Sequence, residues 1–304
     1  MLQHTNHIMM IRPVKFDFNE QTSGSNSFQD VAAKASDTQQ KALAEFDGFV
    51  DVLRKNGVQI WVVEDTEDPH TPDSIFPNNW LSMHDDSRMV LYPMQALNRR
   101  QERRSDIAHH LGEQFTLHDI VDYTAFEKEE KFLEGTGSMV LDREHKICYA
   151  CISPRTHKDL LVQFCEDFGY TLVDFTAIDK YGKLIYHTNV VMSLGAHFML
   201  ICFECIASEE ERKRIKNSTK KNIIEISYHQ LQHFAGNILE VINDKDETLI
   251  VMSEQAYKSL TATQTIQLEH FGKIIFAPLY TIEANGGGSA RCMMAEIFLP
   301  VKKK

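Results

Sequence analysis

The chain has 304 residues, 43% of them hydrophobic and 25% charged, with a formal net charge of −11. Those proportions are ordinary for a globular protein, and the acidic balance argues against nucleic acid or an anionic membrane surface as a partner. No apolar run reaches the roughly 20 residues of a membrane span, and the N-terminus lacks the basic opening of a secretory signal, so a cytoplasmic protein is expected.

Residues 8–12 read as a short buried strand closed by Pro13, and the polar stretch from there to Gln40 reads as a long loop able to cover a site. Asp37 then caps a helix running to about Asn56, with Leu43, Phe46, Val50 and Leu53 at helical spacing, and Gly57 ends it. Val58–Val63 continues as a strand, followed by an acidic, proline-punctuated loop over 64–77. A pattern repeats from Trp80 onward. Trp80–Met83 with Met89–Tyr92, Ser138–Leu141 with Ile147–Ala150, Val190–Ser193 with Phe198–Ile201, and Ile238–Val241 with Thr248–Val251 are four β-hairpins. Each is followed by helical sequence: 98–114, 157–168, 208–221, and 254–260 with 265–270.

The residues at the head of each unit are Asn79, Glu134, His187, Asn237 and Cys292, separated by 55, 53, 50 and 55 positions. A period near fifty predicts a repeat architecture. The fifth unit has only one strand, Cys292–Leu299, and residues 8–12 can supply its partner. The expected fold is therefore α/β, a five-bladed pseudo-symmetric propeller of one domain over residues 1–304, closed by pairing of its N- and C-terminal strands.

Six cysteines are present. Two Cys-x-x-Cys pairs, Cys148/Cys151 and Cys202/Cys205, lie in strand-like runs too far apart for a zinc ribbon, so they read as core thiols and no metal is expected. Cys292 differs, because it follows Gly286-Gly287-Gly288. That stretch alone fits either a core thiol or a nucleophile. The repeat decides between them: residues at one phase of a ring converge at one end of its axis, which brings Cys292, His187 and Glu134 together as thiol, imidazole and carboxylate. Asn237 shares that phase and receives no role. His84, His109 and His110 fit no phase and read as surface, and the Lys302–Lys304 tail reads as solvated.

Several motifs carry a family resemblance: Pro72-Asp73-Ser74 with Pro77-Asn78-Asn79-Trp80, Asn98-Arg99-Arg100, Leu133-Glu134-Gly135, Ser153-Pro154-Arg155, His187-Thr188-Asn189, and Gly286–Cys292. Together, over nearly the whole chain, they resemble the guanidino-group-modifying pentein α/β-propellers. The nearest likeness is to citrulline-utilisation hydrolases, or citrulline ureidases, often labelled amidinotransferase-like. The resemblance implies Cys292 as the nucleophile that forms a covalent adduct and His187 as proton carrier. It implies Glu134 as the acid that binds substrate N–H groups and keeps His187 protonated. It further implies Asp73 for the substrate α-amine, and Arg99 and Arg155 for its carboxylate. No cofactor is implied, the partner is a small molecule, and a homo-oligomer stays open.

Two departures bear on the substrate. Arginine-handling relatives typically carry aspartate at the position of Asn79, and arginine deiminases carry another at the position of Asn189. A carboxamide both donates and accepts, which suits a neutral ureido group better than a guanidinium. Citrulline is therefore the expected substrate, hydrolysed to ornithine, ammonia and carbon dioxide. The alternatives are an arginine deiminase, dimethylarginine dimethylaminohydrolase or amidinotransferase activity, or a non-catalytic binding protein. The last predicts loss of the thiol, imidazole or carboxylate, and all three are present.

Overall fold

A computed structural model describes residues 2–302. Strand β1 (His7–Arg12) pairs parallel with β2 (Gln59–Glu64), and the helix Thr38–Lys55 makes the crossover between them. That helix turns Ala42, Phe46, Phe49, Val50 and Leu53 inward, all buried. Each of the four larger side chains contributes roughly 1.5–3 kcal/mol by leaving water.

The later runs repeat one plan. β3 (Leu81–Met83) pairs antiparallel with β4 (Arg88–Leu91), and β4 pairs parallel with β5 (Asp119–Asp122) after a helical crossover. The same order recurs in β6 (Val140–Asp142), β7 (Ile147–Cys151) and β8 (Thr171–Phe175). It recurs again in β9 (Met192–Leu194), β10 (Phe198–Ile201) and β11 (Asn222–Glu225), and in β12 (Leu239–Ile242), β13 (Thr248–Ser253) and β14 (Lys273–Ala277). Three of the four hairpin turns hold a residue at positive φ, namely Ser87, Lys146 and Asp246.

β15 (Ala295–Glu296) pairs antiparallel with β1, matching Ile8 to Glu296. In the sheet β15-β1-β2 it takes the place that β3, β6, β9 and β12 take in theirs. Among the described residues the strands thus form five small sheets of one topology, and the expected pairing of the chain's first and last strands is present.

Some expectations need correction. The last strand does not begin at Cys292: residues Ala290–Met293 form a 3-10 turn, whose backbone bonds from Cys292 N and Met294 N leave only Ala295–Glu296 to pair. The segment 13–40 is more than a loop, with a short helix at Glu20–Ser23, a 3-10 turn at Val31–Ala33, and buried Asn19, Thr22 and Asn26. Asp37 sits at the helix N-cap without a capping side-chain bond and pairs with Lys41 instead. His84 is not surface: it is buried, bonds Ser82 through Nε2 at 2.8 Å and packs on the Phe168 ring. Lys302 of the basic tail is exposed, and Lys303 and Lys304 lie outside the described residues. No helix among the described residues is long and apolar enough to cross a membrane.

Candidate active site

The repeat phase has a local cause. A short helical turn stands immediately before the first strand of four of the five sheets: Pro77–Asn79, Gly135–Ser138, Thr188–Val191 and Ala290–Met293. Asn79 and Cys292 lie within these turns, while Glu134 and His187 are the capping residues just ahead of theirs. The turns pack closely enough to require glycine. A Cβ on Gly137 would come within 2.5 Å of Asn79 Nδ2 and 2.7 Å of His187 Nδ1. Gly135 has φ +48°, and a Cβ there would meet the Asn78 carbonyl oxygen at 2.3 Å.

A small cavity is lined by Asp73, Asn79, Arg99, Arg155, His187 and Cys292, together with Asn26, Phe76, Tyr186 and Gly286–Gly288. Six of the eight predicted site residues therefore share one wall. Of the other two, Glu134 bonds His187 Nε2 through Oε2 at 2.9 Å, and Asn189 donates from Nδ2 to Cys292 Sγ at 3.4 Å.

Asn237, left without a role in the sequence, is the nearer donor to the sulfur, with Nδ2 at 3.2 Å. It is fixed at both ends of its amide, donating also to the Asn189 carbonyl at 2.9 Å and accepting from Arg291 N at 3.1 Å. Two carboxamide nitrogens are thus aimed at one buried sulfur. The signal that could have found Asn237 was its phase in the repeat.

The electrostatics around the imidazole differ from the expectation that Glu134 keeps it protonated. Burial pushes the Glu134 carboxyl up, but Arg155, then His187 and Arg99, outweigh this and hold it at about 2. Burial pushes His187 down, and the bond and charge of Glu134 only partly offset that, leaving it at about 4. The pair is thus a carboxylate beside a neutral imidazole, because nearly complete burial disfavours the cation more than one hydrogen bond restores it. Asp73 is raised, chiefly by burial and against the charge of Arg99. Its Oδ2 accepts from Asn19 and Thr22 at 2.7 and 3.3 Å, while Oδ1 is buried without a protein partner.

The two arginines are placed at the site but their donors are largely taken. Arg99 holds Glu102 through Nε and Nη2 at 2.8 and 2.9 Å, Asn79 Oδ1 at 2.8 Å, and the Asp73 and Phe76 carbonyls. Glu102 is buried, and burial is the main cause that raises it to about 8 despite this partner. Arg155 holds Ser25 Oγ at 2.7 Å and the Thr22 carbonyl at 3.1 Å, with Nη1 at 3.5 Å from Glu134. Residues 19–29 are thereby strapped across the site, and Asn26 Nδ2 adds contacts to the Gly286 and Gly287 carbonyls.

A family model described as N,N dimethylarginine dimethylhydrolase, eukaryotic, matches residues 12–299. No curated protein matches the sequence. Among solved structures, ArgZ, an arginine dihydrolase from the ornithine-ammonia cycle in Cyanobacteria, aligns with a TM-score of 0.77 at 18% identity over 97% of this chain. The chain spans only 41% of full-length ArgZ. It spans 98% of the ArgZ N-terminal domain, solved covalently bound to a reaction intermediate, with a TM-score of 0.76 and 18% identity over 97% of this chain. DDAH from Pseudomonas aeruginosa, complexed with citrulline, aligns with a TM-score of 0.67 at 16% identity over 97% of this chain and all of that one. At these identities the structural likeness is one of fold. The family match runs over almost the whole chain, and on it the protein belongs to the N,N-dimethylarginine dimethylhydrolase family, within the guanidino-group-modifying pentein superfamily.

Proposed function

We propose that the protein is a cysteine-dependent hydrolase acting on the ureido group of an arginine-like amino acid, with citrulline giving ornithine, ammonia and carbon dioxide. The observation that carries this reading is one cavity lined by a thiol with two amide donors, an imidazole bonded to a buried carboxylate, and a carboxylate oxygen left free. No resident metal or organic cofactor is part of the reading.

Neutral His187 takes the proton of Cys292, and Glu134 stabilises the imidazolium that results. The thiolate adds to the ureido carbon, the carbon–nitrogen bond breaks, and His187 returns the proton to the departing ornithine nitrogen. Water then attacks the carbamoyl adduct, with His187 as base. Asp73 Oδ1 receives the substrate α-ammonium, the cationic partner a buried carboxylate oxygen calls for. Arg99 serves to fix Asp73, Asn79 and Glu102, and Arg155 to hold the strap over the bound substrate.

The two asparagines support a neutral substrate, since Asn79 and Asn189 place no carboxylate beside a guanidinium. A second reading, arginine hydrolysed at its guanidino group, is favoured by the free oxygen of Asp73, which a guanidinium could also occupy. We further read the five sheets as blades of one closed ring in a single domain. The β1–β15 pairing and the adjacency of β15 to β3, β6 to β9 and β9 to β12 support that reading. Six unpaired cysteines support a reducing compartment such as the cytoplasm.

The test is product analysis with citrulline and arginine side by side, on wild type and Cys292→Ala. Ornithine and ammonia from citrulline without an added amine acceptor are expected, with no turnover by the variant. Citrulline accumulating from arginine would make the enzyme a deiminase, and an acceptor requirement would make it an amidinotransferase. Turnover of neither substrate would favour a binding protein.

A further inference from the structure

A second cavity lies behind the cysteine and shares no lining residue with the substrate cavity. Two of its residues adjoin the nucleophile: Asn189, whose Nδ2 touches Sγ, and Arg291, the residue before Cys292. The rest of the wall comes from several repeats, including Arg143 after β6, Ser193 on β9, Glu240 on β12 and Glu296 on β15.

Three residues of this wall carry buried polar atoms with no protein partner: Asn189 Oδ1, Ser193 Oγ and Arg143 Nη1. All three side chains belong to residues at least nine-tenths buried. Native interiors leave few such groups, and ordered water is their usual partner. The charges facing the cavity offset one another. Arg291 pairs with Glu296 at 2.8 Å, Arg143 lies 3.9 Å from the same carboxylate, and Glu240 accepts from His4 and from Ala196 N, both at 2.8 Å. Two arginines against two glutamates suit a small neutral molecule better than an ion of either sign.

The front of the site offers water little room. The substrate cavity is small, and the 19–29 strap lies across it, pinned by Arg155 to Thr22 and Ser25. An amino-acid substrate fills that space, yet water has to reach the carbon held on the sulfur after the first product forms.

We propose that the rear cavity is the water inlet of the hydrolytic half-reaction, passing water by Ser193 and Asn189 to the adduct on Cys292. This rests on the hydrolase reading above. In the step itself the water oxygen bonds to the carbamoyl carbon, the carbon–Sγ bond breaks and its electron pair returns to sulfur. The water proton passes to His187, and carbamic acid leaves to decompose into ammonia and carbon dioxide.

Ser193→Leu and Leu194→Phe place bulk in the rear cavity without altering any residue assigned to the chemistry. Rapid-quench measurement of the first ornithine released, with intact-protein mass spectrometry of the Cys292 adduct, separates the two half-reactions. The variants are expected to keep the first-turnover rate, accumulate the adduct, and lose about tenfold in kcat with KM falling in parallel. A folded variant with wild-type kcat, or one in which both half-reactions slow equally, overturns the inlet. Should both bulky variants fail to fold, Ser193→Ala decides. Slower hydrolysis of the adduct with unchanged formation supports the inlet, and unchanged hydrolysis overturns it. Wild type inactive on both citrulline and arginine defeats the proposed function and the inlet with it, whereas an active wild type with indifferent variants defeats the inlet alone.

Discussion

Asn237 and Cys292 stand 55 positions apart in the chain and 3.2 Å apart in space, amide nitrogen to sulfur. The amide cannot turn away, because its oxygen is held by Arg291 N and its second hydrogen by the Asn189 carbonyl. A hydrogen bond to a charged group contributes roughly 1.5–3 kcal/mol, so loss of this donor in Asn237→Leu is expected to slow turnover about tenfold or more. Alkylation of Cys292 by iodoacetamide at pH 7 should slow alongside it. An unchanged alkylation rate in a folded variant would remove the amide from the account.

Gly137 marks how tightly the imidazole is seated. Its φ is unremarkable for other residues, so the nearest obstacles to Gly137→Ala are the Asn79 amide and the His187 ring. The methyl must displace both, and misplacement on the scale of an ångström can cost about 100-fold in rate. A large fall in kcat is expected with a melting temperature shifted by only a few degrees. Equal losses of activity and stability would point to a folding defect.

Arg155 ties the strap at residues 22 and 25 to the Glu134 side of the site. Removal of the guanidinium in Arg155→Ala leaves Ser25 and the Thr22 carbonyl without these donors. Hydrogen exchange across 20–29 should quicken and KM should rise, with Arg155→Lys intermediate because an ammonium cannot span both partners as the fork does. Exchange unchanged from wild type would show that Asn26 and the neighbouring contacts hold the strap alone.

The His187–Glu134 pair makes a specific demand on pH. The ordinary imidazole value is 6.5 and the folded one about 4, so between them the unfolded chain binds a proton that the fold refuses. Stability contributed by neutral His187 is full above about 6.5 and lost as pH falls toward 4. Glu134 acts in the same sense over a lower window: its stabilisation is present above 4.5 and lost as pH falls through about 2. Urea midpoints should therefore fall from pH 7 to pH 4.5, and His187→Gln should flatten that decline. A midpoint as steep in the variant would assign the acid sensitivity elsewhere.

Much of this was legible in the chain. Hairpins separated by helices at a fixed period are local signals, and each appears within a few residues of its expected place. The phase rule brought Glu134, His187 and Cys292 to one region because each repeat uses the same element, a helical turn or its cap, ahead of its first strand. Partnerships across the chain were not legible. Nothing in the run around Arg99 says that its fork is filled by Glu102 and Asn79, or that His84 is buried against Phe168. The protonation of His187 also escaped, since a carboxylate partner can be read from sequence spacing while burial cannot. Asn237 was visible by phase and passed over, because an amide carries no charge to suggest a role.

The pairing of Ile8 with Glu296 has a temporal consequence. During synthesis β1 is made nearly three hundred residues before its antiparallel neighbour exists. Cys292 sits four positions ahead of that pairing. A chain still held in the ribosomal tunnel can complete the hairpins that carry Asn79, Glu134 and His187, but it has no thiol in register with them. On the hydrolase reading proposed above, a product terminated before residue 292 folds its earlier sheets without the thiol and is expected to be inert.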